Sequence, residues 1–343
     1  MLKQLSFQPK QITKKVLSFL DKKQRDVLEQ RFGLGSESPK TLEAIGQGYG
    51  ITRERVRQIE EDALRRLHKN EIFSNLSDVF NELKNKIDSL SSIVHEKEFL
   101  NNLSGDTPLK YHIRFLLVLG DDFEHFREDD EFHRRWTTDS NKAEKIHEAF
   151  RRLHKELSPD DLLSEKDIFS LFLNHIKNTL GTAIDREIIP SLIKISRLIG
   201  SNALGEWGPI SSPAIRPRGV RDLAYLTMRK NGSPMHFGET AEAIGKIFSR
   251  PVNIQTVHNE LIKDERFVLV GRGLYALKEW GYEPGVVRDV IKKILLSSGP
   301  LSKEEIVKIV MKERYVKENT VLINLQNNRY FKKNPDGTYI ALN

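Results

Sequence analysis

Cysteine is absent from the 343 residues, which excludes disulfides and thiolate metal centres and suits a reducing compartment. No apolar run approaches the roughly 20 residues of a membrane span. The opening MLKQLSFQPKQITKK carries no apolar core of the signal-peptide kind. A cytoplasmic protein without membrane contact is expected. Phosphate-cradling motifs are also missing: neither GxxxxGKS/T nor GxGxxG occurs. His125 and His133 stand near Asp121, Asp122 and Asp129, but on what reads as a solvated hairpin, a poor place for a fixed ion. Asp78 with Glu82-Leu83-Lys84 echoes the carboxylate–lysine pattern of nucleases in too short a stretch to carry that chemistry. The expectation is therefore no enzyme: no catalytic residue, cofactor, metal or small-molecule substrate.

What is present is basic charge, unevenly placed. The net charge is +7, and residues 1–70 hold 15 Lys+Arg against 9 Asp+Glu while the other 273 residues hold 40 against 39. A basic segment beside a near-neutral remainder points to a polyanionic partner for the first 70 residues. Within it, ITRERVRQIEEDALRRL (51–67) has helical periodicity. At about 100° per residue, Val56, Ile59, Ala63 and Leu67 gather on one face. Arg53, Glu54, Arg57 and Gln58 gather on another. Those polar types suit base edges: arginine forks onto guanine, glutamine onto adenine, and glutamate accepts from cytosine. An ordinary solvated face is the alternative.

The preceding stretch, LDKKQRDVLEQRFGLGSESPKTLEAIGQGYG (20–50), supplies the context. Leu20, Val27, Leu28 and Phe32 suit a buried stripe, and Gly33 with Gly35 a helix stop. Thr41 reads as an N-cap, Gly46, Gly48 and Gly50 as breakers of the next helix, and Thr52 as a second N-cap. Two short helices joined by a glycine-containing turn make a helix-turn-helix. From RDVLEQRFGL through TLEAIGQGYGIT to RERVRQIEEDALRRL, the segment Leu20–Leu67 resembles the C-terminal DNA-reading domain, region 4, of housekeeping-type bacterial sigma factors. The resemblance implies reading of a promoter −35 element in the major groove and docking on the β-subunit flap of core RNA polymerase. Carried over by position, it implies base contacts from Arg53, Glu54, Arg57 and Gln58, and phosphate contacts from Thr41, Thr52, Arg55 and Arg65. A complete sigma factor also melts the −10 element with a helix dense in aromatic and basic residues. No such helix occurs here, and Trp136, Trp207 and Trp280 are widely scattered, so the chain is not expected to open a promoter alone.

Residues 221–277 and 288–342 repeat one pattern: helix, glycine-containing break, two helices, then two strands around a tight turn. Arg221-Asp222 pairs with Arg288-Asp289, Thr256-Val257 with Thr320-Val321, and Tyr275 with Tyr339. The turns are GRG (271–273) and NPDG (334–337). This is winged-helix patterning, twice. The first copy, particularly VHNELIKDERFVLVGRGLYALKEWG, resembles HARE-HTH domains, found in the delta subunit of bacterial RNA polymerase, in restriction systems and in chromatin proteins. That resemblance implies engagement of DNA or of transcription machinery. Gln255, Thr256, Asn259 and Lys263 on its third helix, with Arg272 in its wing turn, are candidate secondary DNA contacts. In the last copy, Leu322 and Ile323 are read as enlarging the core, with a protein interface as the alternative.

Between these parts, DVFNELKNKIDSL, FLNNL and YHIRFLLVLG read as helices. DDFEHFREDDEFHRRWTT reads as a wing whose acidic tip, Asp129-Asp130-Glu131, phosphate would repel; this unit is expected to pack or to bind protein. The segment through EWGPI reads as a further winged-helix-like unit, with Ser211-Ser212-Pro213 and RPRG (216–219) as linker. The expected fold is mainly α: a helix-turn-helix followed by a tandem array of α+β winged-helix modules. The expected divisions are 1–70, 71–157, 158–219, 220–282 and 283–343. The expected function is a bacterial sequence-specific DNA-binding transcription factor, sigma-like, with double-stranded promoter DNA and polymerase as partners. The alternatives are a DNA-binding accessory subunit outside transcription, for example of a restriction system, and a winged-helix protein–protein adaptor.

Overall fold

The computed structural model describes residues 5–35, 38–282 and 285–342. The chain divides into two compact units, Met1–Gly200 and Ser201–Asn343.

The first unit opens with four helices: α1 (Pro9–Leu17), α2 (Lys22–Phe32), α3 (Leu42–Tyr49) and α4 (Arg53–His68). Their ends follow local chemistry. The Asp21 side chain accepts from the Gln24 amide at 2.9 Å, and the Thr41 and Thr52 hydroxyls accept from Ala44 and Arg55 at 3.2 Å each, each satisfying one otherwise orphaned donor. Gly33 and Gly50 close α2 and α3 in the left-handed conformation, at φ 70° and 65°, which only glycine adopts at little cost. Gly46 and Gly48, expected to break α3, lie inside it. Gly46 serves packing instead: a Cβ there would stand 2.7 Å from the Ile51 carbonyl oxygen, so its absence lets the turn between α3 and α4 close against α3. Val27, Ile45, Val56 and Ile59 fill a small core inside this turn.

The chain continues through α5 (Glu71–Ser74) into α6 (Ser77–Asp88), β1 (Ile93–His95), α7 (Glu96–Leu103), α8 (Thr107–Leu119), β2 (Glu124–Phe126) and β3 (Arg135–Thr137). The strands pair antiparallel in the order β1-β3-β2, with Val94 and His125 both opposite Trp136. This is winged-helix order. The main apolar core runs across residue 70: Val16, Leu17, Leu28, Phe32 and Leu67 share it with Phe80, Leu83, Phe115 and Trp136. Helix α8 lies against both α1 and α2, and the Phe115 ring meets Phe32 edge-on at 5.3 Å. Next come α9 (Ser140–Glu156) and α10 (Glu165–Leu180), joined through the Phe150–Phe172 ring contact at 4.2 Å, and α11 (Ile189–Leu192). Strand β4 (Ile199–Ser201) falls at the division between the units, and β5 (Trp207–Pro209) lies in the second. Among the described residues no helix is long and apolar enough to cross a membrane.

The second unit repeats the winged-helix order. It first uses α12 (Val220–Asn231), β6 (Met235–His236), α13 (Phe237–Phe248), α14 (Ile254–Lys263), β7 (Phe267–Gly271) and β8 (Leu274–Leu277), with strand order β6-β8-β7. It then uses α15 (Val287–Ser298), α16 (Lys303–Glu313), α17 (Glu318–Leu325), β9 (Phe331–Lys333) and β10 (Tyr339–Ala341), where a single bridge from Leu301 to Tyr339 stands in for the first strand. The residue pairs read from the sequence fall at equivalent places. Asp222 and Asp289 each accept from the backbone at the start of their helix, from Gly219 at 3.3 Å and from Val286 at 3.2 Å. Val257 and Val321 are both fully buried on the third helix. Gly273 and Gly337 turn the two wings at φ 70° and 89°. The copies are docked through the edge of the first sheet, where the Tyr315 amide donates to the Val270 carbonyl at 2.9 Å.

Candidate nucleic-acid interface

Helix α4 separates its faces as its sequence requires. Val56, Ile59, Ala63 and Leu67 are buried, and Arg53, Glu54, Arg55, Arg57, Gln58 and Arg65 are exposed. The polar face is internally bonded. Arg57 donates to both Glu54 carboxylate oxygens, Nε at 2.9 Å and Nη2 at 2.6 Å, and its Nη1 donates to Glu61. Arg55 Nη1 donates to Gln58 Oε1 at 3.0 Å. The hydrogen bond from Arg57 holds the Glu54 carboxyl below the usual carboxylate range, and the Glu54 bond in turn raises the guanidinium further above its ordinary value. Both groups therefore stay charged at every physiological pH.

Thr41 and Thr52 are exposed and use their hydroxyl oxygens as acceptors at the helix starts, which leaves the O–H free to donate to an anion. The first turn of α4 also lies at the positive end of the helix dipole. Arg55, Gln58 and Arg65 line a cleft beside α4 together with Lys23 and Gln24 of α2, and the acidic Asp21, Glu61 and Asp62 line it too. So the eight residues selected for this segment fall on exposed ground at α4 or at the start of α3. Glu61 was not selected from the sequence. At four residues beyond Arg57 it falls on the same face, and that spacing was the available signal.

On α14, Gln255, Thr256, Asn259 and Lys263 are exposed, with Gln255 Nε2 donating to Asn259 Oδ1 at 3.2 Å. Arg272 is exposed in the β7–β8 turn. The corresponding third helix of the first unit is different. His112, Ile113, Phe115, Leu116, Leu117 and Leu119 of α8 are all buried, so α8 offers no polar reading face. Two of the three acidic wing residues are engaged internally: Asp129 accepts from Arg135 at 3.1 Å and Glu131 from Arg151 at 2.8 Å, while Asp130 is exposed. In the last copy, Ile323 is 67 % exposed, against the expectation that it enlarges the core; it sits two residues after buried Val321, on the outward side of α17. Among the described residues no group of three or more histidines, aspartates or glutamates is placed to hold a metal ion.

These features define a helix-turn-helix domain, its second helix presented outward, at the head of an α+β winged-helix array. Comparison with known proteins narrows the first part. The family described as Sigma-70, region 4 matches residues 16–69, and over that span the chain is a region 4 domain. It is 57% identical over 53 residues to the RNA polymerase sigma factor SigA of Nostoc sp., covering 16% of this chain and 14% of that protein. It is 56% identical over 52 residues to SigA of Microcystis aeruginosa and to SigA of Synechocystis sp., covering 15% of this chain and 12% of each. The chain thus spans only a small fraction of the length of these relatives.

Proposed function

We propose that this chain is a bacterial sequence-specific DNA-binding transcription factor that reads a −35-type promoter element with α4 and contacts RNA polymerase, without a promoter-melting module of its own. The observation carrying this reading is the division of α4 into a fully buried apolar face and an exposed face of Arg53, Glu54, Arg57 and Gln58, within a domain matched to region 4. In it, Arg53, Glu54, Arg57 and Gln58 meet base edges. Thr41, Thr52, Arg55 and Arg65 hold the phosphates on either side, which positions the helix without adding sequence information.

The relatives are named as RNA polymerase sigma factors, and the polymerase contact, with the β-subunit flap as its proposed site, follows by analogy. Val16, Leu17, Val27 and Leu28 of the first helices are buried, so that contact draws on what stays exposed there, such as Phe19. For the second unit, resemblance of the α14–β8 stretch to HARE-HTH domains supports secondary DNA contacts from Gln255, Thr256, Asn259, Lys263 and Arg272. The proposed divisions, by element order, are 1–70, 71–157, 158–219, 220–282 and 283–343, the first two sharing one apolar core. A second reading, a protein adaptor, draws on exposed apolar side chains in both copies: Ile262 and Leu269 stand 62 and 51 % exposed in the first, and Leu296, Met311 and Ile323 63, 50 and 67 % in the last.

The test is fluorescence anisotropy of the full chain on a TTGACA duplex and on its scrambled counterpart across a salt series. The expected result is a preference of at least about fivefold, the low end of what one bidentate base contact gives, reduced by Arg57→Ala or Gln58→Ala. Equal binding to both duplexes that vanishes with salt would leave only phosphate attraction and remove the promoter reading.

A further inference from the structure

The polar face of α4 contains an acidic group in its middle. Glu61 falls at about 80° from Arg53 around the helix, between Arg57 at about 40° and Gln58 at about 140°. Its carboxylate accepts from Arg57 Nη1, while Glu54 accepts from Nε and Nη2. The guanidinium is therefore held from two sides before any DNA arrives, with Nε and both Nη nitrogens engaged. Glu61 is exposed, and the one ion pair it forms among the described residues is that with Arg57.

We propose that Glu61 is a positioning residue that sets the selectivity of α4 by competing with DNA for Arg57. This inference rests on the reading of bases by α4. Glu54 fixes one edge of the guanidinium and so aims it, while Glu61 occupies the Nη1 that a base must take over. A phosphate offers Arg57 two oxygens in a bidentate pair, but it brings its own negative charge toward Glu61. A guanine edge offers two acceptors, O6 and N7, with no formal charge. The exchange is thus costlier for a phosphate-only encounter than for a base contact. Glu61 weakens binding to every duplex, but weakens the wrong ones more.

The experiment compares the full chain, Glu61→Gln, Arg57→Ala and the double variant on the TTGACA and scrambled duplexes at one salt concentration. Glu61 is solvent-exposed, and glutamine keeps its shape, so folding is not at stake. The expected result is that Glu61→Gln tightens the scrambled duplex by about two- to fivefold, the range that an exposed ion pair commands, and tightens the TTGACA duplex less. In the Arg57→Ala background the same change should leave the preference untouched. Equal tightening of both duplexes, with and without Arg57, would reduce Glu61 to plain repulsion of phosphate and overturn the proposal, while Arg57→Ala alone still lowers the preference. If Arg57→Ala alters neither duplex, Arg57 reads no base and the role of Glu61 falls; only if Gln58→Ala is equally silent does base reading by α4 fail as well.

Discussion

Single side chains in this protein were legible from the sequence where their chemistry is local. Thr41 and Thr52 cap helices because a hydroxyl can reach an amide three residues on, and their neighbours alone specify it. Arg135 and His147 were not legible, because their partners are brought together by tertiary packing. Arg135 is buried and donates from Nε to His147 Nε2 at 2.8 Å, and to the Arg127 and His133 carbonyls and Asp129 at 3.1 Å each. That geometry needs a neutral imidazole at His147 Nε2, with the opposite nitrogen facing Glu144 at 3.1 Å. Burial lowers the pKa of His147, and does the same for His95 and His112. Arg135 and Arg151 add to the effect at His147, and Glu144 opposes it. Between their ordinary value of about 6.5 and their lower folded values, the unfolded chain binds protons that the folded chain does not. Stability is then whole above that ordinary value and is lost as pH falls through the window. Urea denaturation should give a lower midpoint at about pH 5.5 than at about pH 7.5, and His112→Leu, which removes one such buried imidazole, should flatten the dependence. A midpoint that rises on acidification would contradict the account.

At the scale of elements, the repeated winged-helix order could be read because its turns are written in the chain: GRG and NPDG place glycine where φ must be positive. The first strand of each sheet was missed. It spans only Ile93–His95 in one copy and Met235–His236 in another, too short for an alternating pattern to emerge. The glycines of α3 misled for a related reason: glycine weakens a helix but does not end it unless the backbone must turn left-handed there. Gly50 does so, and Gly46 and Gly48 do not. Substitution separates their roles. Gly46→Ala forces a methyl to 2.7 Å from the Ile51 carbonyl, a backbone clash that should cost about 1–3 kcal/mol and, by moving α4, weaken DNA binding. Gly48→Ala meets nothing within 4 Å and should stabilise by about 0.5–1 kcal/mol. Equal urea midpoints for the two variants would mean that the approach of α3 to the turn is not tight.

For the molecule as a whole, the feature that periodicity could not supply is the burial of α8. YHIRFLLVLG is apolar around nearly its full circumference, which signals a helix enclosed on several sides, but nothing in the string says by what. In the structure it is enclosed partly by α1 and partly by α2 of the region 4 domain, α1 lying almost wholly ahead of the matched span. The domain that carries α4 therefore does not have a core to itself. Leu67 at the end of α4 lies in the same cluster as Phe115 and Leu116 of α8. Leu67 and Phe115, 48 positions apart in the chain, should then loosen together. Phe115 is fully buried, and Phe115→Ala should cost about 3–5 kcal/mol by emptying its site. If the core is one cooperative unit, hydrogen exchange should reveal it: amides in the second half of α4 lose protection along with those of α8. Amides of α12 to α17, in the other compact unit, keep theirs. DNA affinity should fall as well, although Phe115 is buried in the core while Arg53, Glu54, Arg57 and Gln58 are exposed. Were α4 to keep its protection while α8 frayed, the region 4 domain would be stable by itself, and the winged helix beside it a passenger rather than a support.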